Sequence, residues 1–122
     1  MAGLVNAEAA AALDSLFPTA GASDFIAYST DGSTEWGGLA RTAIGATGWA
    51  AATVADPSEK ANAAELDTAA ASASGTVTHF RVMTESAAGD ARTDWTALTS
   101  SRAFGIGDTA TWSAGALRVT LT

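Results

Sequence analysis

The stretch GTVTHFRVMT, from Gly75 to Thr84, constrains the fold of this chain more than any other. β-Branched and aromatic residues fill it and a glycine opens it, which is typical of a β-strand. Because side chains alternate between the two faces of a strand, Thr78, Phe80 and Val82 are predicted to face a core. The opposite face carries a mixed set, which indicates half-burial or contact with another surface: Val77, His79, Arg81 and Met83.

Further short strands are predicted wherever apolar residues lie between turn signals, at intervals of roughly ten residues. They are 24–30, 39–44, 49–54, 63–68, 92–98, 109–112 and 116–121. Turns are predicted at 31–32, 56–58, 99–102, 107–108 and 113–115. Helix is an alternative for 58–64, because Ser58 could cap it. The pattern predicts a mainly β fold, an antiparallel β-sandwich or jelly-roll-like domain of about seven or eight short strands.

One α-helix is predicted at the N-terminal end, at about 5–17, with Asn6 as N-cap and Glu8 in its first turn. Pro18 and Gly21 end it. Its apolar residues recur at three- and four-residue spacing: Val5, Ala9, Ala12, Leu13, Leu16 and Phe17. A helix this short is marginal alone, so it must dock on a sheet of its own subunit or on a neighbouring subunit.

The size and charge of the chain limit its class. Its 122 residues predict one β-rich domain spanning 1–122, with strands from about 24 to 122. The lack of cysteine excludes disulfides and thiolate metal sites. A net charge of −7 argues against a nucleic-acid partner. No apolar run approaches the ~20 residues of a membrane span, and no basic region precedes the apolar N-terminal stretch, so neither a membrane contact nor a signal peptide is expected.

No residue pattern points to catalysis, a cofactor or a metal. His79 is the one histidine, and beside Phe80 in the middle of a strand it is more typical of a packing residue than of a ligand. The aspartates lie mostly at predicted strand ends, where short acidic side chains bond the local backbone, and no calcium-loop spacing is present. The glycines at 45–48 lack the lysine of a phosphate loop. We therefore expect no enzyme activity, no cofactor and no metal ion.

Tryptophans and arginines carry the remaining functional signal. Trp95 and Trp112 lie in predicted strands and are expected in the core, whereas Trp36, in a glycine-rich loop, is either an interface anchor or a local plug. Most arginines alternate with apolar residues, which places them on outer faces, either solvated or in contact with another subunit. The candidate interface residues are Trp36, Arg41, His79, Arg81, Met83, Val5 and Leu13.

Short motifs spread along the chain resemble those of a family of small virion proteins from tailed phages of actinobacteria. They are MAGL at 1–4, ALDSL at 12–16, GGLAR at 37–41, KAN at 60–62, GTVTHF at 75–80, GDT at 107–109 and AGAL at 114–117. The third is similar to a GGxYAR signature, although Leu39 stands in place of the aromatic residue. The resemblance implies a β-rich structural subunit of the virion, made in the cytoplasm of the bacterial host and without catalytic residues.

The resemblance leaves two functions open. The first is capsid decoration, in which the chain would bind the major capsid protein and copies of itself, as a trimer, and stabilise the assembled head by mass action. The alternative is a minor tail or tail-fibre module that recognises a host-surface glycan. That alternative predicts a solvent-facing aromatic cluster, for example Trp36 with Tyr28.

Overall fold

The fold is mainly β with one helix, as the sequence predicts. The computed structural model describes residues 5–17, 24–45, 48–54 and 58–121. The elements in chain order are α1 (Asn6–Leu16), β1 (Phe25–Ser29), β2 (Thr42–Ala43), β3 (Ser58–Ala61), β4 (Leu66–Asp67), β5 (Gly75–Met83), β6 (Thr96–Phe104), β7 (Thr111–Trp112) and β8 (Arg118–Leu121).

All described strand pairs are antiparallel. A four-stranded sheet has the order β2-β1-β5-β6, and two smaller sheets pair β3 with β8 and β4 with β7. The core lies between the four-stranded sheet and the helix with the smaller sheets, and it includes Phe17, Tyr28, Phe80, Trp112 and Val119. This layered arrangement confirms the sandwich-like prediction.

β5 is the inner strand predicted from the GTVTHFRVMT stretch, but its two faces differ from simple alternation. Phe80 and Val82 are buried as expected, whereas Thr78 is half-exposed and Val77 is fully buried. The reason is a β-bulge: the register shifts between Val77 and His79. Alternation along β5 is broken where its pairing with β6 is irregular, so Val77 and Phe80 are both buried although they are three residues apart.

The same bulge explains the largest error in the predicted strands. The sequence predicts a strand at 92–98 and a turn at 99–102, but β6 runs from Thr96 to Phe104. Val77 pairs with Arg102 and His79 pairs with Ala97, so Thr78 alone lies opposite the four residues 98–101. Residues 98–101, of which the last three are small and polar, therefore form a bulge within an edge strand rather than a hairpin turn.

Other predicted elements are shortened or changed. The strands predicted at 39–44 and 63–68 contract to β2 and β4, and that predicted at 49–54 reduces to an isolated bridge between Trp49 and Asn62. Helix at 58–64 is wrong, because β3 pairs with β8 from Ser58 to Ala61. The turns at 31–32, 107–108 and 113–115 are present in outline, with Gly32, Gly107 and Gly115 at positive φ. The turn predicted at 56–58 lies largely outside the described residues.

Helix α1 docks on its own subunit, against β3 and β8. Ala9, Leu13 and Phe17 are buried, whereas Val5 and Leu16, placed on the apolar face by the sequence pattern, are 69% and 53% exposed. Asn6 is not the N-cap: it is the first helical residue, and Val5 takes the cap position without a side-chain hydrogen bond. Tertiary packing, including an edge-on contact of Phe17 with Trp49 at 5.3 Å, therefore holds the helix rather than capping.

A lysine in the core joins the helix to the sheet. The Lys60 side chain on β3 is fully buried, and its ammonium group donates to the Asp14 carboxylate on α1. The Asp14 side chain is 44% exposed and also accepts from the Ala52 amide. The hydrogen bonds from Lys60 and Ala52 lower the pKa of Asp14. The pair therefore contributes to stability above the ordinary pKa of this carboxyl and loses that contribution as the pH falls through the lowered pKa.

Because one partner is buried and the other is exposed, the two single substitutions should differ. We expect Asp14→Asn to lower the free energy of unfolding by about 2–3 kcal/mol, since it leaves a buried ammonium group without a counter-charge. Lys60→Met should change it by less than about 1 kcal/mol, because an apolar chain fills the space and Asp14 stays solvated. Denaturant unfolding of both variants and of the double variant measures the difference. Equal losses in the two single variants would contradict this account.

Candidate functional site

A hydrogen-bonded aromatic pair supports the middle of the core. The Trp112 indole Nε1–H donates to the Tyr28 hydroxyl at 3.0 Å, and that hydroxyl is 2.6 Å from Thr42 Oγ1. The two rings stack with centroids 6.0 Å apart. Tyr28 is fully buried, and burial raises the pKa of its hydroxyl. The solvent-facing cluster of Trp36 with Tyr28 predicted for the fibre alternative is therefore wrong, because the Tyr28 hydroxyl is satisfied inside the core.

Trp36 is a plug at one end of this core. Its half-buried ring lies 6.2 Å from Phe104 and packs over Gly38 and Gly75. A Cβ atom on Gly75 would come within 2.8 Å of Trp36 Cζ2, so both glycines are needed for this close approach. Of the two roles that the sequence leaves open for Trp36, the structure places the ring in the local plug.

Arg41 ties two loops together on the second face of the four-stranded sheet. Its Nε and Nη2 donate to the Glu35 carboxylate at 2.9 and 2.7 Å, and its Nη1 donates to the carbonyls of Glu85 and Ala88. The Arg41 side chain is only 7% exposed. The Arg41 guanidinium lowers the pKa of Glu35, and Glu35 in turn raises the pKa of Arg41. This bidentate fork holds the loop 30–41 against the loop 84–95.

Asp31 organises the first of these loops from within. Its carboxylate accepts from the backbone amides of Ser33 and Thr34 and from the Ser29 hydroxyl. These bonds, led by the Thr34 and Ser33 amides, lower the pKa of Asp31 well below its usual range. The Asp31-Gly32 turn predicted from the sequence is therefore built by aspartate side-chain chemistry.

The second face of β5 carries His79 and Arg81 beneath these loops. His79 Nδ1 is 2.7 Å from Thr78 Oγ1, and its ring lies against Gly32. The Arg81 guanidinium stacks 4.3 Å from the centre of the Trp95 ring. Trp95 precedes β6 and is half-buried, rather than lying within a strand in the core as predicted.

The seven predicted interface residues fall in different places. Leu13 and Met83 are buried in the core of their own chain, and Arg41, His79 and Arg81 lie half-buried under loops on the second sheet face. Trp36 and Val5 lie apart from these: Trp36 is at one end of the core, and Val5 is the cap residue before α1. The structure thus does not gather the set into one surface, and its role in subunit contact stays a prediction.

A cleft that the sequence does not predict lies beside the β6 bulge. It has a volume of about 350 Å³ and separates the bulge 98–101 from the turn 113–116. Its lining consists of Leu98, Ser100, Arg102, Trp112, Ser113, Ala114, Gly115, Ala116 and Arg118. The Arg102 guanidinium lies 4.9 Å from the centre of the Trp112 ring. Among the described residues that line the cleft none is acidic, although the whole chain has a net charge of −7.

Buried Asn62 fixes one wall of the cleft. Its side-chain Nδ2 donates to the Ser113 carbonyl at 3.0 Å, and its Oδ1 accepts from the Leu117 amide at 3.0 Å. The Gly115 amide donates to the Asn62 backbone carbonyl. Sequence reasoning missed the cleft because a bulge and a buried asparagine, neither marked by a motif, create it.

Within 5–17, 24–45, 48–54 and 58–121, no group of three or more His, Cys, Asp or Glu side chains is placed to hold a metal ion. Over those same ranges, no helix is long and apolar enough to cross a membrane.

The fold and side-chain arrangement define a small, acidic, β-rich protein whose described ion pairs mostly serve its own packing. The profile of one protein family, described as Podophage GP4 fiber I protein gp80, matches residues 6–120. The chain belongs to this family and is a bacteriophage virion protein. No curated protein matches the chain. The family confirms the expected virion role, and its fibre description favours the tail-fibre alternative over capsid decoration.

The Arg41–Glu35 fork predicts a specific pH response. Arg41→Gln should return the pKa of Glu35 toward its ordinary value of 4.5, because the fork is the main cause of the lowering. In the unmodified chain the fork stabilises the fold above pH 4.5, and this contribution is lost as the pH falls through the lowered pKa of Glu35. Carboxyl NMR titration of both proteins measures the shift.

Asp31 provides an internal control for that titration. Its pKa is lowered mainly by the backbone amides of Thr34 and Ser33, so it should stay low in the Arg41→Gln variant. An unchanged Glu35 pKa in the variant would show that Arg41 does not pair with Glu35 in solution.

Proposed function

We propose that this chain is a structural component of the fibre or tail of a podophage-like virion, rather than a decoration of the head. The observation that carries the proposal is the family match. It extends over nearly the whole chain, and the family is described as a fibre protein. The resemblance of its sequence motifs to virion proteins of actinobacterial phages supports, in addition, a host of that group.

The role proposed is non-enzymatic. Arg41 with Glu35, Lys60 with Asp14 and Arg92 with Asp24 join elements that are distant in sequence. Such cross-links suit a subunit whose function is to keep its shape. A net charge of −7 favours solubility of the free subunit before it assembles.

The location of the protein in the particle tests this proposal directly. Purified virions can be separated into heads and tails and quantified by mass spectrometry, with immunogold labelling of intact particles as a second measurement. We expect the chain in the tail fraction at a few copies per particle, with gold at the fibres. The major capsid protein serves as the internal standard for heads. A copy number near that of the major capsid protein, with gold over the head, would replace the fibre proposal by capsid decoration.

We propose further that copies of this chain associate, through the exposed end of α1. Leu16 is 53% exposed and lies at the edge of a groove of about 330 Å³, whose lining includes Leu13, Phe17 and Val119. Val5, the one strongly exposed member of the predicted interface set, is the N-cap residue of α1, at the other end of the helix from Leu16. Apolar side chains exposed beside a groove favour contact with another subunit.

Light scattering coupled to size-exclusion chromatography tests this association. We expect an oligomer, with a trimer as the sequence-based expectation, and a shift toward monomer in Leu16→Glu, because a charge at the contact must be desolvated. Ala11→Glu, at an exposed position of the same helix, is the matched control and should leave the mass unchanged. A monomer at all concentrations, or equal effects of the two substitutions, would contradict the proposed contact.

A further inference from the structure

The cleft beside the β6 bulge combines features of a binding site. Its volume of about 350 Å³ lies within the range of small-molecule sites, roughly 300–1,000 Å³. It lies where β6 departs from its partner strand, and bulges commonly re-aim side chains near functional sites.

The cleft is held in shape before any ligand arrives. Asn62 fixes the 113–116 turn by hydrogen bonds to the Ser113 carbonyl and the Leu117 amide. The floor residue Trp112 is fixed by its bond to the Tyr28 hydroxyl. A site with such supported walls loses little conformational entropy on binding.

Arg102 gives the cleft its chemical preference. It is exposed, it stacks on Trp112 and, within the described part of the chain, it has no carboxylate within ion-pairing distance and no hydrogen-bond acceptor. A guanidinium held by its face presents its N–H groups at its edge, in the fork geometry that binds a carboxylate. Arg118, the second cation of the cleft, already bonds the Gly115 carbonyl and Glu59. Of the two cations of the cleft, Arg102 is thus the one whose N–H groups can bind a ligand.

The remaining lining indicates the rest of the ligand. Leu98, Ala114 and Ala116 offer apolar contact, while the hydroxyls of Ser100 and Ser113 lie among them. A sugar ring has this mixed character, since it combines an apolar C–H face with a rim of hydroxyl groups. We propose that the cleft binds a carboxylate-bearing sugar, with its carboxylate on Arg102 and its ring between the bulge and the 113–116 turn. That this sugar belongs to the host surface rests on the proposed fibre role.

Titration of the isotope-labelled chain with glucuronate, followed by NMR, tests this assignment. We expect shifts of the Trp112 indole and Gly115 amide resonances, and at least tenfold weaker binding of glucose, because a hydrogen bond to a charged group contributes about 1.5–3 kcal/mol. Arg102→Gln should weaken glucuronate binding by at least tenfold and Arg102→Lys by less, since lysine keeps the charge but loses the fork. Ser100→Glu, which places an acid in the cleft, should abolish binding.

Ala70→Glu is the matched control, because it lowers the net charge by one, as Arg102→Gln does, at an exposed position outside the cleft lining. It should leave glucuronate affinity within about twofold, as expected for a screened distant charge. Equal affinity of Arg102→Gln and the unmodified chain, or shifts away from the cleft, would overturn the site. Inorganic phosphate binding as tightly as glucuronate would overturn the sugar assignment. The test is independent of location in the virion, so a head location would refute the fibre role and leave the cleft standing.

Discussion

Coverage of both faces of the four-stranded sheet is the constraint on which the rest of this structure depends. Residues 26–29 of β1 are all buried, although alternate side chains point to opposite faces. One face is covered by α1 and the smaller sheets. The other is covered by the loops 30–41 and 84–95, which lack an apolar core of their own. Arg41 holds them together through Glu35 and two backbone carbonyls, so polar bonds replace the apolar layer that a helix would provide.

The bulge opposite Thr78 has the second largest consequence. Alternation along β5 is broken there, so Val77 and Phe80 are both buried although they are three residues apart, and four residues of β6 lie opposite Thr78 alone. An edge strand that bulges is poorly suited to pairing with another strand, so the same irregularity protects the edge. It also forms one wall of the cleft. One irregularity in the pairing of β5 with β6 thus links core packing, edge protection and the proposed binding site.

Sequence reasoning found what depends on local pattern. The strand at Gly75–Met83, the N-terminal helix, the aspartate turn at Asp31 and the mainly β class all follow from composition over a few residues. The sequence-based prediction was wrong or incomplete where contacts between residues far apart in the chain determine the structure. Thr99–Arg102 resembles a turn in composition and becomes strand only because β5 lies beside it. Likewise the burial of Lys60 depends on Asp14, 46 positions away, and no local pattern announces such a pair.

The contacts of the six cationic side chains explain why Arg102 can be proposed as an anion-binding residue in an acidic protein. Arg41, Lys60, Arg92 and Arg118 each pair with a carboxylate, which leaves Arg81 and Arg102 stacked on tryptophan rings. Arg81 lies under loops, with its Nε buried. Arg102 lies at an open cleft, whose lining in the described part of the chain includes no acidic residue. Local charge at short range outweighs a net charge spread over the surface, because salt screens distant charges beyond about 8–10 Å. An acidic chain can therefore keep one cation for the proposed anion site, since four of its other five cations are paired with carboxylates and Arg81 is half-buried against Trp95.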